Sequence, residues 1–429
     1  MKTNHEYGTF KDSKRLPIHR WFQYPAGYSP MLVHQKIQQF NLNGTSLLFD
    51  PFLGSGTTCL AAKEKGIKCV GIEAHDFVSD IAEAKLFWDY DMEALREELD
   101  QIIETKIFDG KIEKEALEDY AFTPELVKKC FSEQNLVKLL KLKHAITGVC
   151  KDKHDKNFFN LALTATLRLS STAGTGWPYI APSKYQGKKN ERDGIVTFKK
   201  TVLSMISDIK DVKDKYGKGS ECLVIHGDSR REQNIARESV DLAITSPPYL
   251  NNFDYADRTR LETYFFGIAK NWSDITAKFR DKLIVAATTQ VHRTDFDPDN
   301  CMDTEFKKTA PELGIKITEK VKELSKMRLQ KGGKKSYDIM VSQYFNDILP
   351  IIKNTYRYLK EGGVFVLVLG DSAPYGVHIP TEQYIAELGK AIGFKSYDIE
   401  ELRTRGGKWP MNPQRHSVPL RESILTLTK

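Results

Sequence analysis

Five short apolar runs, each feeding into acidic, Gly or Pro residues, constrain this chain more than any other feature. They are Ser46–Asp50, Cys69–Glu73, Cys222–Asp228, Asp241–Ser246 and Val364–Asp371. Continuous rather than alternating apolar runs fit parallel strands covered on both faces and feeding loops at one sheet edge. The first run is followed by a Gly-containing loop and by Thr57–Lys65, which reads as a helix ending at Gly66. Tyr337–Lys360 is a long apolar-periodic helical segment, with Gly362-Gly363 as its stop before the fifth strand. Pro350 should kink that helix or split it in two. Ser423–Thr428 alternates like a strand and would close the sheet. The fold class expected is α/β, a doubly wound Rossmann-like sheet.

Two long segments interrupt the pattern, so core pieces 1–76, 221–250 and 336–429 are separated by insertions 77–220 and 251–335. The first insertion reads as mainly helical. Thr123-Pro124 predicts an N-cap with Pro at the first helical position and a helix to about Val149. Ser171–Pro178 is too rich in small residues for a helix and reads as a loop. The second insertion ends in the basic stretch Lys326–Lys335.

Composition narrows the class only broadly. With 40% hydrophobic and 28% charged residues, the 429-residue chain has the make-up of a soluble globular protein. No apolar run approaches the roughly 20 residues that span a bilayer, and Met1–Glu6 lacks the apolar core of a secretory signal. Six scattered cysteines form no Cys-x-x-Cys pair, which argues against zinc or a disulfide framework and for reduced thiols in the cytoplasm. A net charge of +7 permits nucleic-acid binding without demanding it.

Two motifs carry the chemistry. Asp50-Pro51-Phe52-Leu53-Gly54-Ser55-Gly56-Thr57-Thr58 sits at a strand-to-helix turn. Gly54 and Gly56 allow tight curvature and close approach of main-chain N–H groups to a ligand. The helix N-terminus that follows favours negative charge, such as a carboxylate. Glu73 ends the second strand 17 positions after Gly56, close to the roughly 20 expected of an acidic residue that grips ribose hydroxyls. Asp228, at the end of the third run, is placed to accept from an adenine amino group, or to N-cap the next helix.

About 190 residues after the Gly loop comes Ser246-Pro247-Pro248-Tyr249. The exocyclic amine of a nucleobase is a poor nucleophile because its lone pair is delocalised into the ring. Two acceptors on its hydrogens, the Ser246 hydroxyl and the Pro247 carbonyl, would pull the nitrogen toward tetrahedral geometry. The prolines fix the backbone so that these acceptors are already aimed, and Tyr249 offers a ring for stacking on an extruded base. A Pro-rich turn after a strand is the plain alternative.

With both motifs present, the chain resembles the S-adenosylmethionine-dependent DNA amino-methyltransferases, which modify N4 of cytosine or N6 of adenine. Asp50–Thr58 is similar to the family's cofactor loop and Ser246–Tyr249 to its catalytic tetrapeptide. Trp21–Val33 resembles the segment lining the methionine end of the cofactor, with Tyr28 and Pro30 the positions carried over. Lys360–Asp371 resembles the fifth strand. The likeness covers roughly half the chain. It implies S-adenosylmethionine as cofactor, no metal, and double-stranded DNA as partner. It leaves open a cognate restriction endonuclease acting separately, and it implies a cytoplasmic, nucleoid-associated activity.

A serine opening the tetrapeptide is commoner among N4-cytosine members, so cytosine is favoured and N6-adenine is the alternative. An RNA base methyltransferase, a protein-glutamine methyltransferase and a non-catalytic DNA-binding module are further readings. The motif order departs from many cytosine-N4 members, in which the tetrapeptide comes first. No recognition domain is seen after the last strand, which moves target recognition into the insertions. There Asn252, Phe253, Asp254 and Tyr255 are candidates to flank the base or read its edge, with core packing the alternative for the aromatics. Lys184–Arg192, Lys326–Lys335, Arg403, Arg405, Lys408 and Arg415 are candidate phosphate contacts. Pro298-Asp299 with Glu305-Phe306-Lys307 faintly resembles a nuclease signature but lacks a β-rich context. His226, His292, His378 and His416 show no metal-ligand or triad spacing.

Overall fold

The computed structural model describes residues 7–9, 11–22, 27–173, 191–405 and 418–429. Among these residues seven strands form one sheet: β1 (Leu47–Asp50), β2 (Lys68–Glu73), β3 (Cys222–His226), β4 (Val240–Thr245), β5 (Leu359–Gly370), β6 (Ser396–Arg405) and β7 (Leu420–Thr428). Their order is β3-β2-β1-β4-β5-β7-β6, with β7 antiparallel to both of its neighbours and the other pairs parallel. The expected α/β class is therefore observed, and the five apolar runs form the parallel part of the sheet.

Alternation along each strand builds the two layers. Val364, Val366 and Val368 of β5 enter one apolar cluster, while Phe365, Leu367 and Leu369 enter the other. Leu48 and Phe49 of β1 divide in the same way. Helices α1 (Pro30–Gln39), α2 (Thr57–Glu64) and α3 (Asp76–Leu86) belong to the first layer, with the helices of the β2–β3 connection. Helices 311–330, 337–358 and 381–392 cover the second.

Several elements differ from the sequence expectation. The helix Tyr337–Tyr358 runs through Pro350 as one element. Ile348, Leu349, Ile351 and Ile352 are buried around the proline, and that burial outweighs one missing backbone hydrogen bond. Gly362-Gly363 do not stop this helix: it ends at Tyr358, with Leu359 already extended. They sit instead within β5, where the register jumps from Val240↔Leu359 to Leu242↔Val364. The segment expected as one helix from Pro124 breaks into Glu125–Lys128 and Glu133–Val149. The longer helix starts at its own N-cap, where Ser132 accepts from Asn135 N–H at 3.3 Å. β6 was not expected from the sequence at all. The segments 77–220 and 251–335 are largely helical where described, and residues 171–173 are non-helical as expected. Residues 174–178, most of Lys184–Arg192, Lys408 and Arg415 lie outside the described residues.

All six cysteines are free thiols. Among the described residues no helix is long and apolar enough to cross a membrane.

Candidate active site

The carboxyl ends of β1, β2, β3 and β4 converge on one cleft, the usual place for a ligand in an open α/β sheet. Of the residues singled out from sequence, Tyr28, Pro51, Phe52, Gly54, Thr57, Glu73, Asp228, Ser246, Pro248 and Tyr255 line it. Two motifs some 190 positions apart thus share one cavity, because β1 and β4 are hydrogen-bonded neighbours.

The loop after β1 is shaped by Gly54 at φ 55° and Gly56 at φ 88°, a left-handed conformation that costs a glycine little. Glu73 fastens this loop to β2. Its carboxylate accepts from Gly54 N–H at 2.8 Å and from His75 N–H at 2.8 Å. Burial, its main influence, pushes the Glu73 carboxyl up to about 7 despite those two donors. On the other side Lys85 of α3, fully buried, donates from its ammonium to the Ser55 carbonyl at 2.8 Å.

Asp50 does not face the cleft but supports it from below. It is 1% exposed and accepts from Phe52 N–H at 2.9 Å, from Thr245 Oγ1 at 2.5 Å and from Thr58 Oγ1. Tyr28 Oη bonds to the same Thr58 hydroxyl. A continuous chain of side chains, Tyr28–Thr58–Asp50–Thr245, therefore joins the N-terminal segment to the residue immediately before Ser246. Burial raises the Asp50 carboxyl to about 6, and the three donors partly offset it. Pro30 opens α1 behind its Ser29 N-cap and is not part of the cavity wall.

Asp228 lines the cleft without capping a helix. Its carboxylate accepts from Arg230 N–H at 2.9 Å and pairs with the Arg230 guanidinium. Arg230 continues to buried Asp347 at 3.1 Å and to the Lys282 carbonyl at 3.2 Å, while Asp347 also accepts from Val285 N–H at 2.9 Å. This arginine fixes the 282–284 wall of the cavity, which sequence reasoning missed. Lys282, Leu283 and Ile284 belong to no motif, and nothing local marks them. Ile72 and Ile351 were missed for the same reason.

The tetrapeptide is held at its far end. Tyr249 N–H donates to Tyr255 Oη at 3.1 Å, and Tyr249 Oη donates to Glu422 at 3.0 Å. Burial and the nearby Glu422 carboxylate raise the Tyr249 hydroxyl well above its ordinary value. The Arg405 guanidinium lies 5.3 Å from the Tyr249 ring centroid, and Arg403 pairs with Glu422 at 2.7 Å. Both arginines, expected as phosphate contacts, are turned toward the tetrapeptide in this conformation.

The next four residues divide. Tyr255 reaches the cavity, with Phe253 packed edge-on at 4.7 Å. Phe253 itself is core, 4% exposed. Asn252, at φ 61°, accepts on its side chain from Thr288 N–H at 2.8 Å. Asp254 is buried against Arg280 at 2.7 Å, and it also accepts from Thr289 Oγ1 at 2.8 Å and from Asp257 N–H at 3.1 Å. Its carboxylate is fully partnered rather than offered to a base edge. Asp299 and Glu305 pair with surface lysines Lys322 and Lys353. Among the described residues no group of three metal-ligating side chains exists.

The cavity fits a nucleoside-bearing cofactor: two strand-end carboxylates stand beside apolar walls from Phe52, Ile72 and Ile284, under a Gly loop with curved backbone. Comparison with known proteins agrees. Residues 2–84 match the family model described as DNA methylase. The Type II methyltransferase M.BsoBI of Geobacillus stearothermophilus is 26% identical, over 98% of this chain and 87% of that protein. The Type II methyltransferase M.AvaI of Nostoc sp. is 24% identical, over 93% and 83%. M.MvaI of Kocuria varians, also a Type II methyltransferase, is 22% identical over 100% and 95%. The cofactor loop and the tetrapeptide open on one cleft, and these likenesses support a family of S-adenosylmethionine-dependent DNA amino-methyltransferases.

Proposed function

We propose that the chain is a site-specific methyltransferase acting on the exocyclic amine of an extruded base in duplex DNA, with cytosine N4 as the target. The observation that carries this reading is that Ser246 and Pro248 open on the same cleft as Gly54, Thr57 and Glu73. S-adenosylmethionine supplies an electrophilic methyl group when bound.

The chain's own residues bind, orient and polarise. Glu73 would accept from ribose hydroxyls, Phe52, Ile72 and Ile284 would hold the purine, and Asp228 would accept from its amino group. Ser246 Oγ and the Pro247 carbonyl accept from the two amine hydrogens of the target base, freeing its lone pair. Pro247 and Pro248 keep these acceptors in place, so little reorganisation is needed at the moment of reaction. No side chain need act as a strong base, because the extra proton on the methylated nitrogen is acidic enough to pass to water. Serine at position 246 favours cytosine. Segments 77–220 and 251–335 are where target recognition would lie, with the exposed lysines of Lys326–Lys335 as phosphate contacts. A separately acting endonuclease accords with the Type II names of the relatives.

Tritiated methyl incorporation into duplex DNA, tRNA and protein tests the substrate class, and mass spectrometry of the nucleosides tests the base. N4-methylcytosine is expected. N6-methyladenine would move the target, and a lack of incorporation into DNA would end the proposal. Ser246→Ala should slow turnover on the order of a hundredfold, as loss of a preset polar contact does, with cofactor affinity little changed. Near-normal turnover would remove the acceptor role.

A further inference from the structure

Stacking on a base needs only an aromatic ring, and phenylalanine would supply one. Position 249 instead carries a hydroxyl, and that hydroxyl is tied to a carboxylate far away in sequence. Glu422 lies on β7, 2% exposed, with one oxygen accepting from Tyr249 Oη at 3.0 Å and the other 2.7 Å from Arg403 Nε. Arg403 stands opposite it in the β6–β7 register, so the carboxylate is paired across the strands as well as with Tyr249. Among the described residues this buried carboxylate has Arg403 as its basic partner and the Tyr249 hydroxyl as a donor, and a charge so placed is costly to keep.

The ring itself is seated with little room. A Cβ at Gly370, the last residue of β5, would come within 3.0 Å of the Tyr249 ring and 2.2 Å of Arg405. Glycine is what allows the ring and the guanidinium to lie against that backbone. The Tyr249 N–H is held separately, by Tyr255 at 3.1 Å. Tyr249 is therefore fixed at its backbone, at its ring and at its hydroxyl, by three different parts of the chain.

We infer that Glu422 is a positioning residue for the tetrapeptide: it holds Tyr249 by the hydroxyl, setting the ring for the target base before DNA binds. The inference rests on the reading of Ser246–Tyr249 as the base-holding motif. It adds that β6 and β7, which carry no part of the recognisable motifs, orient that motif.

Single-turnover methylation of unmethylated genomic DNA, with enzyme and S-adenosylmethionine in excess, tests this. Tyr249→Phe and Glu422→Ala should each lower the methylation rate about tenfold, the effect of one hydrogen bond to a charged group. The double variant should be no slower than Tyr249→Phe alone, because Tyr249→Phe already removes the bond to Glu422, together with the contact between the hydroxyl and Ser246. Glu422→Gln, whose amide oxygen still accepts from the hydroxyl, should stay within about threefold of wild type. Cofactor affinity should be unchanged in all four. Wild-type rates in Glu422→Ala, multiplicative losses in the double variant, or losses that follow cofactor affinity would each overturn the inference. Should Glu422→Ala fail to fold, Tyr249→Phe decides alone, and a wild-type rate there overturns it. A wild-type enzyme that methylates no DNA would instead remove the underlying reading.

Discussion

Asp50 shows how a motif residue can matter from behind the wall of the cleft. Its carboxyl joins the hydroxyls of Thr58 and Thr245, and it rises from 3.8 to about 6 because burial outweighs those donors. Glu73 rises similarly, from 4.5 to about 7. A carboxyl whose folded value is raised binds its proton more tightly in the folded state. Its contribution to stability is complete below the unfolded value and is lost as pH rises through the folded one. Between about pH 4 and 7 the wild-type protein should therefore lose thermal stability relative to Asp50→Asn and Glu73→Gln, which cannot ionise. Melting curves across that range check this, and parallel curves would refute it. On the proposed role of Glu73, ribose hydroxyls donate to its ionised form, so cofactor affinity should climb through about pH 7. In Glu73→Gln it should be flat and about tenfold weaker, as titration calorimetry would show.

Strands β1, β4 and the second half of β5 were legible as elements because burial on both faces makes them read as unbroken apolar runs, whereas β3, a partly exposed edge strand, was legible because Cys222–Ile225 is apolar all the same. β6 was not, since Ser396–Arg405 carries Glu400, Glu401, Arg403 and Arg405 and has a largely exposed burial pattern. β6 lies at the sheet's edge with β7 as its partner, and it lacks the apolar run that the other edge strand, β3, carries. Pro350 does not split its helix because tertiary burial overrides a local rule. The same interplay governs the β1–α2 loop, which α3 fastens through Lys85. Burial lowers the Lys85 ammonium to about 7. A depressed lysine contributes its stability above the unfolded value, and that contribution is lost as pH falls through the folded one. Lys85→Met, similar in length and apolar, should therefore leave the melting temperature unchanged or raise it near pH 6. Freed from the ammonium, the Ser55 carbonyl should let the loop relax and weaken cofactor binding by about three- to tenfold. A large drop in melting temperature with unaltered binding would show that Lys85 serves the core rather than the loop.

At the scale of the whole molecule, the site is assembled from parts that sequence motifs locate only in half. The Gly loop, Glu73 and Ser246 announce themselves through local spacing. Arg230, Lys282–Ile284 and Glu422 act through contacts made across the fold, and a single sequence gives no sign of those. The anchoring of the N-terminal segment that leads to Tyr28 is a further such case. It is anchored by Asp208 of helix 194–216, which is 1% exposed and accepts from Ile18 N–H at 3.3 Å, Trp21 Nε1 at 2.9 Å and Arg20 Nε at 2.9 Å. Ile18 adopts φ 60°, a conformation that strains a β-branched residue by roughly 1–3 kcal/mol and persists only where surrounding contacts impose it. Asp208→Ala would leave two buried N–H groups without acceptors and release that strain. The half-exposed Arg20 pair adds little. The expected cost is about 2–4 kcal/mol, read as a lower melting temperature and faster amide exchange across residues 18–21. Asp208→Asn, which keeps one carbonyl acceptor, should fall between the two. Because Tyr28 reaches Thr58 from this segment, Asp208→Ala should also weaken cofactor binding at a distance, and Tyr28→Phe should produce that weakening without the loss of stability. Unchanged exchange at residues 18–21 in Asp208→Ala would mean that Trp21 and Phe22, packed in the core, hold the segment by themselves.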